Sequence, residues 1–283
     1  MSRRPDRTAL ALAVPIAVLI LFGMVRAAAP ASALGLVFDS PLAFGIFAAV
    51  TAVAGAVLLF IRPVEVAVGR LLAGQARPPT AEESERLTRM LAKAGERGGI
   101  DPARLIVNIQ DDSGVNASAG ASHLLFVTSG ALALPDDRLE AVLAHELGHH
   151  RGLHPLLSTV VWWLRIPGAV LSGIYRLLRR AVAAVGARLG SLGRLLAVPI
   201  VVLLVIWQIT VMWLFYLQEL LTKRAARISE YGADAAAANW GYAEPLAETL
   251  EELSRREAEP TGRLARLMAD HPPLSARIER LRR

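Results

Sequence analysis

Residues 139–149 read LEAVLAHELGH, a run of strong helix formers that ends in the pattern His145-Glu146-Leu147-Gly148-His149. On a helix the two histidines lie one turn apart on the same face, with Cβ atoms about 5–6 Å apart. Both imidazoles can then bind one Zn²⁺ at roughly 2.0–2.1 Å. Glu146 follows the first histidine, where it can take a proton from a zinc-bound water molecule and pass it to a leaving amine. The stretch therefore predicts a helix that carries a catalytic zinc site.

A catalytic zinc ion usually has three protein ligands, so the chain has to supply a third. It contains no cysteine, which leaves histidines and carboxylates. Glu230 and Asp234, in the sequence EYGAD of residues 230–234, are i and i+4 on one helical face. One carboxylate can bind the metal while the other accepts the N–H of a ligating histidine. Glu230 is the preferred third ligand, and His150 and His154 are the alternatives.

The segments around the zinc helix predict further helices and a small antiparallel sheet. Thr80 and Glu83 have the spacing of a capping box ahead of a helix over 80–97, which the glycines at 95, 98 and 99 end. Asp136 or Asp137 begins the zinc helix, which runs to His150. Gly148 lowers helix propensity by about 1 kcal/mol, which predicts close packing or substrate approach beside it. Strands are expected at 105–110, 115–119 and 124–128, and C-terminal helices at 222–239, 244–258 and 274–282.

The composition indicates a membrane protein. The 283 residues are 54% hydrophobic, with a mean hydropathy of +0.42. A helix needs about 20 residues to cross a bilayer. Four apolar runs approach or exceed this length and predict about four transmembrane helices: 8–25, 40–61, 155–175 and 195–218. Arg165 and Pro167 interrupt the third run, so it is the weakest of the four. The first run resembles a signal peptide with a cleavage site at 31–33, but its length favours a retained helix.

The loop charges predict the orientation in the membrane. Ten Lys or Arg residues flank the runs on the side of the N-terminus, 62–154 and 222–283, against six on the other side, so the first side is expected to be cytoplasmic. Five of those six arginines lie between the third and fourth runs and share about half of one helical face. They predict a basic amphipathic helix that lies on the membrane and contacts anionic lipids: Arg176, Arg179, Arg180, Arg188 and Arg194.

The expected fold is therefore a mostly α membrane protein of the α+β class. Its predicted domains are an N-terminal transmembrane hairpin (1–62), the first half of a peptidase domain with the HExxH helix (63–154), a second membrane hairpin with the basic loop (155–221), and a second half with the third zinc ligand (222–283). The net charge is +6, but the arginines gather beside apolar runs and no nucleic-acid-binding motif is present. Nucleic acid is therefore not an expected partner.

The order of these motifs resembles the HtpX-type membrane zinc metallopeptidases. The helix with HELGH is followed by a membrane hairpin, by EYGAD, and by the sequence HPPLSARI of residues 271–278. The group is related to the CAAX prenyl proteases and to mitochondrial inner-membrane stress proteases, and the motifs cover about residues 80–283. The resemblance implies a gluzincin fold, zinc held by His145, His149 and Glu230, Glu146 as general base, and Asp234 orienting His145.

Other family motifs carry over to this chain as well. Asn116-Ala117-Ser118-Ala119 resembles an edge strand beside the active site, which can pair with an extended substrate; many relatives have an aromatic residue where this chain has Ser118. His271 resembles a residue that stabilises the oxyanion, with a helix-start histidine as the alternative. Arg277 would bind Asp234, Glu230 or a substrate carbonyl, unless it faces solvent. His123 is expected to be structural.

The resemblance implies an integral inner-membrane zinc endopeptidase that hydrolyses misfolded or membrane-associated proteins on the cytoplasmic side, with a role in protein quality control under stress. The expected partners are protein or peptide substrates and membrane lipids, and a homo-oligomer is compatible with the sequence. The alternatives are a BlaR-type signalling protease, a CAAX-type activity, and a non-catalytic membrane scaffold or chaperone with bound zinc. A set of two histidines and one glutamate with a further glutamate beside it favours an open, catalytic site over a structural one.

Overall fold

A computed structural model of the chain describes residues 61–72, 76–120, 123–151, 154–256 and 271–283, together with single positions at 43, 46, 50, 54, 55 and 58. The apolar run predicted at 8–25, its candidate cleavage site, and most of the run at 40–61 lie outside the described residues. The described residues form two compact units. The first takes those of Leu58–Thr159 and Thr222–Arg283, and the second takes those of Ala13–Val57 and Val160–Leu221.

The described helices and strands follow one another along the chain in this order: α1 (Arg62–Leu72), β1 (Ala76–Arg77), α2 (Ala81–Gly98), β2 (Ile106–Gln110), β3 (Ala117–Gly120), β4 (Leu124–Thr128), α3 (Ser129–Leu132), α4 (Asp136–Arg151), α5 (His154–Arg188), α6 (Gly190–Ala237), α7 (Ala243–Arg256) and α8 (Leu274–Leu281). A 3-10 turn, Pro102–Arg104, precedes β2, and a π-helical turn, Ala238–Tyr242, joins α6 to α7.

The capping box predicted for α2 is confirmed. The backbone N–H of Glu83 donates to Thr80 Oγ1 at 3.2 Å, and the backbone N–H of Thr80 donates to Glu83 Oε2 at 2.7 Å. The helix ends at Gly99, whose left-handed φ of 64° suits glycine. Gly95 and Gly98 lie within the helix, and a Cβ at Gly98 would come within 2.7 Å of the Trp240 ring. Gly95 and Gly98 therefore allow neighbouring residues to pack closely against the helix, and the helix ends after them, at Gly99.

The sheet differs from the antiparallel one that the sequence predicts. Its order is β1-β2-β4-β3, and β2 pairs with β4 in parallel, while β3 pairs with β4 antiparallel. All five residues of β4 are buried, whereas the Ala-Ser-Ala-Gly of β3 is partly exposed. A continuous apolar strand belongs in the middle of a sheet, so β4 takes the centre and β3 takes an edge. The prediction of a simple antiparallel sheet was therefore wrong.

Helix α4 lies at the centre of the first unit. Its residues Leu139, Leu143 and Leu147 are fully buried, in one core with Ile109 and Val127 of the sheet. The helix contacts α2, α7 and the edge strand β3. This packing holds the helix that carries the predicted zinc ligands from several sides.

A buried polar network also fixes the first half of α4. The carboxylate of Glu140 is only 6% exposed. It accepts a hydrogen bond from Lys93 Nζ of α2 at 2.7 Å and another from the Tyr242 hydroxyl of the π-helical turn. Because an unpaired buried carboxylate is strongly destabilising, the three side chains define one relative position of these elements.

The second unit is a pair of helical segments joined by a tight turn. The five arginines that were predicted to share one basic amphipathic helix lie in the end of α5 and the start of α6. The turn is made at Gly190, whose φ is 76°. A Cβ at Gly186 would lie 2.4 Å from Ala197 Cβ, and one at Gly193 would lie 2.7 Å from the Gly186 carbonyl oxygen. The two glycines allow a close backbone contact that any larger residue would block.

One helical segment of the described residues, Gly190–Ile209, is long and apolar enough to cross a membrane. Only 11% of it is buried within the protein. Its leucines at 192, 195 and 203 are each about two thirds exposed. Helix α5 runs through Arg165 and Pro167 without a break.

Candidate metal centre

Two helices bring the predicted zinc ligands together. His145 and His149 of α4 and Glu230 of α6 are all buried, and their ligand atoms lie within 4.8 Å of one another. Nε2 of His145 is 3.6 Å from Glu230 Oε2, and Nε2 of His149 is 3.4 Å from Glu230 Oε1. Two imidazole nitrogens and a carboxylate oxygen are a donor set that fits a divalent transition metal with one coordination position left for water.

Gly148 explains why α4 and α6 can approach so closely. A Cβ at this position would lie 3.0 Å from Ala233 Cα and 3.1 Å from the Ala233 carbonyl oxygen. Ala233 lies between Glu230 and Asp234 in the sequence, so the contact is made beside the ligands themselves. The close packing predicted from Gly148 is confirmed.

The other nitrogen of each histidine has a neighbour on α6. Nδ1 of His149 lies 3.1 Å from Ser229 Oγ. Nδ1 of His145 lies 3.0 Å from Asp234 Oδ1. Such partners orient ligating imidazoles and fix which ring nitrogen carries the proton. Ser229 was not among the predicted site residues, and its only sequence signal is its position next to Glu230.

Arg277 of α8 joins the two carboxylates. Its Nε and Nη2 donate to both oxygens of Asp234 at 2.8 and 2.7 Å, and its Nη1 lies 2.9 Å from Glu230 Oε2. The residue is 6% exposed, so it does not face solvent. A bidentate arginine is a strong and directional partner for a carboxylate, and Arg277 therefore fixes the position of Asp234 behind His145.

The charges of the site compensate one another. Burial alone would raise the pKa of Glu230, but the side chains of His145, His149, His271 and Arg277 hold that pKa well below its usual range. Burial lowers the pKa of His145, yet the carboxylates of Asp234 and Glu230 outweigh it and raise the pKa to about 9. The metal-free site therefore holds a proton on His145, and binding of a metal ion has to displace it.

Glu146 differs from the other carboxylates of the site. Its burial raises its pKa, although the neighbouring histidines and a hydrogen bond from the backbone N–H of Ala119 act in the opposite direction. Glu146 is not one of the three residues whose ligand atoms converge. A buried carboxylate with a raised pKa next to a metal centre is suited to accept and return a proton.

The metal centre opens into a cleft of about 250 Å³ in the first unit. Edge-strand residues, the metal ligands and apolar side chains line it: Val115, Asn116, Ala117, Ser118, Ala119, Val142, His145, Glu146, His149, Glu230, Leu246, Thr249, Leu250, Leu253, His271 and Arg277. His271 is 68% exposed, and its Nδ1 lies 3.3 Å from Glu230 Oε1. The structure thus brings the predicted residues to one place, whereas the side chains from α7 were not predicted.

The remaining histidines lie elsewhere. His123 pairs with the buried Glu65 of α1, with its Nδ1 2.8 Å from Glu65 Oε2 and its backbone N–H donating to Glu65 Oε1 at 2.7 Å. This fits the structural role expected of His123. Among the described residues, His150 does not belong to the group of converging ligand atoms. His154 lies at the start of α5.

Comparisons with known proteins agree with this geometry. The chain is 29% identical over 233 residues to a protein named "Protease HtpX homolog" from Dictyoglomus thermophilum, and the similarity covers 73% of this chain and 71% of that protein. Residues 81–283 match the family described as Peptidase family M48, and this range includes both metal-ligand helices, the edge strand and the cleft. The chain therefore belongs to peptidase family M48 and is a metallopeptidase.

Proposed function

We propose that this protein is a membrane-integrated zinc endopeptidase that hydrolyses misfolded or membrane-associated proteins on the cytoplasmic side of the inner membrane. The observation that carries the proposal is the convergence of His145, His149 and Glu230 within 4.8 Å beside the buried Glu146. When bound there, zinc would act as a Lewis acid that lowers the pKa of a water molecule to about 7.

Glu146 is the general base in this proposal. Its carboxylate accepts the proton of the attacking water and returns it to the amine that leaves. Burial supports this role, because it raises the pKa of Glu146 and so makes its carboxylate a stronger base toward the proton of the water. Asp234, held by Arg277, keeps the His145 ring in place.

The edge strand and His271 complete the proposed site. In the described part of the sheet β3 is an edge strand, and Asn116–Ala119 line the cleft beside it, where an extended substrate can add a strand through main-chain hydrogen bonds. His271 lines the same cleft and is largely exposed, so its imidazole can reach a substrate carbonyl and stabilise the oxyanion. Arg277 supports Glu230 and Asp234 from behind.

The membrane part of the proposal depends on the apolar segments. The exposed apolar surface of Gly190–Ile209 supports one crossing. The runs at 8–25, 40–61 and 155–175 are the further proposed spans. The run at 155–175 and the segment Gly190–Ile209 lie between the two proposed peptidase halves, 63–154 and 222–283. Anionic lipids are the proposed partners of the arginines around the turn at Gly190, and a homo-oligomer is compatible with this arrangement.

The test is hydrolysis by the purified full chain in detergent. Wild type and Glu146→Gln, matched for zinc content by metal analysis, are incubated with casein. We expect wild type to cleave and Glu146→Gln to bind zinc but lose at least about 100-fold in rate, the contribution of a general base. Equal rates would remove Glu146 from the mechanism. Absence of hydrolysis by zinc-loaded wild type would favour a non-catalytic membrane scaffold.

A further inference from the structure

One buried carboxylate joins helix α1 to the sheet. Glu65 of α1 is only 3% exposed. Its Oε1 accepts a hydrogen bond from the backbone N–H of His123 at 2.7 Å, and its Oε2 lies 2.8 Å from His123 Nδ1. We propose that Glu65 is a positioning residue of the peptidase, which holds the edge strand β3 in the place where substrate binds. The proposal rests on the endopeptidase function proposed above and adds a determinant of substrate affinity that lies outside the cleft.

His123 lies in the turn before β4, at the C-terminal end of β3. The last register pair of β3 and β4 is Gly120 with Leu124, and His123 directly precedes Leu124. The carbonyl oxygen of His123 accepts a hydrogen bond from the backbone N–H of Ile106, the first residue of β2, at 2.6 Å. The main chain of His123 is thus bonded to β2 through its carbonyl oxygen and to α1 through its N–H. A change at Glu65 therefore releases the turn from α1 without removing a hydrogen bond within the sheet.

The pair formed by Glu65 and His123 is suited to hold one position of this turn. The Glu65 side chain is 1% exposed and that of His123 is 32% exposed, so the carboxylate is the buried partner. Burial of a carboxylate is costly unless hydrogen bonds satisfy it. Both of its oxygens have a partner on the same residue, which fixes the direction of approach as well as the distance. The turn before β4 therefore has one favoured position relative to α1.

The other end of the segment that lines the cleft is held within the sheet. Thr128 Oγ1 accepts the backbone N–H of Asn116 at 2.9 Å, and the Thr128 backbone N–H donates to the Asn116 carbonyl oxygen at 3.0 Å. Of the described residues, Asn116–Ala119 line the cleft, whereas Glu65, His123 and Thr128 do not. Glu65 can therefore affect a bound substrate only through the strand.

Helix α1 connects this contact to the proposed membrane segment that precedes it. The backbone N–H of Glu65 donates to the carbonyl oxygen of Ile61 at 3.0 Å, and Ile61 is the last residue of the apolar run 40–61. Glu65 is therefore about one helical turn from the end of that run. A displacement of Ile61 would move Glu65 and, through His123, the end of β3. The strand that is proposed to bind substrate thus depends on the helix that follows the second proposed span.

The test measures kcat and KM for labelled casein with the full-length enzyme in detergent, at matched zinc content. We expect Glu65→Ala to raise KM by about 5- to 10-fold, as for the loss of about one hydrogen bond, and to change kcat by less than about 2-fold. Glu65→Gln keeps a carbonyl oxygen for the His123 N–H, so its KM should rise less. Glu96→Ala, at an exposed glutamate of α2, should keep both wild-type values.

The division between KM and kcat distinguishes positioning from a general structural role. A wild-type KM in folded Glu65→Ala would overturn the proposal. A lower zinc content or a lower kcat at unchanged KM would also overturn it, because Glu65 would then maintain the metal centre or the fold and not the substrate strand. If Glu65→Ala does not fold, Glu65→Gln decides: a raised KM with wild-type zinc binding and thermal unfolding supports the proposal, and a wild-type KM refutes it.

A binding measurement separates this proposal from the proposed function. The Kd of labelled casein is measured by fluorescence anisotropy in zinc-loaded Glu146→Gln, with and without Glu65→Ala. Weaker binding in the double variant, with no hydrolysis by wild type, would support the positioning role and refute the peptidase. Hydrolysis by wild type together with equal Kd values would refute the positioning role alone. Absence of casein binding by zinc-loaded Glu146→Gln would also contradict the positioning role, because no substrate affinity would then depend on β3.

Discussion

Gly148 sets the distance between the two helices that carry the metal ligands. Its missing side chain leaves room for the backbone of Ala233, between Glu230 and Asp234. Metal sites hold their ligands to within about 0.2 Å, so a small displacement of either helix matters. A methyl group at this position would press on the backbone beside the ligands, so glycine suits the position although it lowers helix propensity.

Gly148→Ala should therefore lower zinc affinity, by about 10-fold, through a shift of Glu230 by a few tenths of an ångström. Gly232→Ala is the matched control, because a Cβ at Gly232 meets no atom within 4 Å. Both changes raise helix propensity by about 1 kcal/mol, so propensity does not distinguish them. The measurement is competition with a fluorescent zinc chelator. Equal affinities in the two variants would show that the helices can separate without disturbing the site.

The residues of the site differ in how far sequence reveals them. His145, Glu146 and His149 follow from spacing within one helix, and Glu230 and Asp234 from spacing within another. The contacts of Ser229 and of the α7 side chains that line the cleft depend on which faces α6 and α7 turn toward α4, which is a result of tertiary packing. Local spacing carries no information on that choice.

At the scale of elements, the start of α2 combines a capping box with an ion pair. Glu83 accepts two hydrogen bonds from Arg77, at 2.7 and 2.8 Å, and a third from the Thr80 backbone N–H. The Arg77 guanidinium is the main reason that the pKa of Glu83 is lowered to about 2. The charge of Glu83 therefore stabilises the fold above its unfolded pKa of about 4.5.

Glu83→Gln should destabilise the first unit at pH 7 by up to about 1 kcal/mol, because glutamine keeps the capping box but loses the ion pair with the partly exposed Arg77. The difference from wild type should disappear as the pH falls from about 4.5 toward 2, where wild-type Glu83 becomes protonated. Thermal unfolding in detergent at several pH values measures this. A difference that persists at pH 2 would show that the charge is not responsible.

The order of the strands in the sheet could not be predicted from the alternation of apolar and polar residues. The sequence placed all three predicted strands correctly to within two residues at each end. It failed on their order, because neighbours along the chain need not be neighbours in a sheet. All five residues of β4 are buried, which is typical of a strand in the middle of a sheet that has a parallel neighbour.

At the scale of the whole molecule, the proposed topology places 62–154 and 222–283 on the cytoplasmic side. The chain has no cysteine, so a single introduced cysteine can be labelled without background. In spheroplasts, Ser191→Cys should react with a membrane-impermeant maleimide and Arg89→Cys should not. Both positions are exposed, so the reaction reports the side of the membrane and not burial. Labelling of Arg89→Cys in intact spheroplasts would reverse the orientation derived from the loop charges.

The two halves of the metal centre are separated along the chain by the second unit. His145 and His149 are synthesised before residues 160–221, and Glu230 after them. During translation the histidines therefore leave the ribosome without their third ligand, while the apolar segments are still being made. The nascent chain lacks a complete centre until the last segment of the first unit has been synthesised. Assembly of the metal centre is therefore coupled to completion of the segment that contains Glu230.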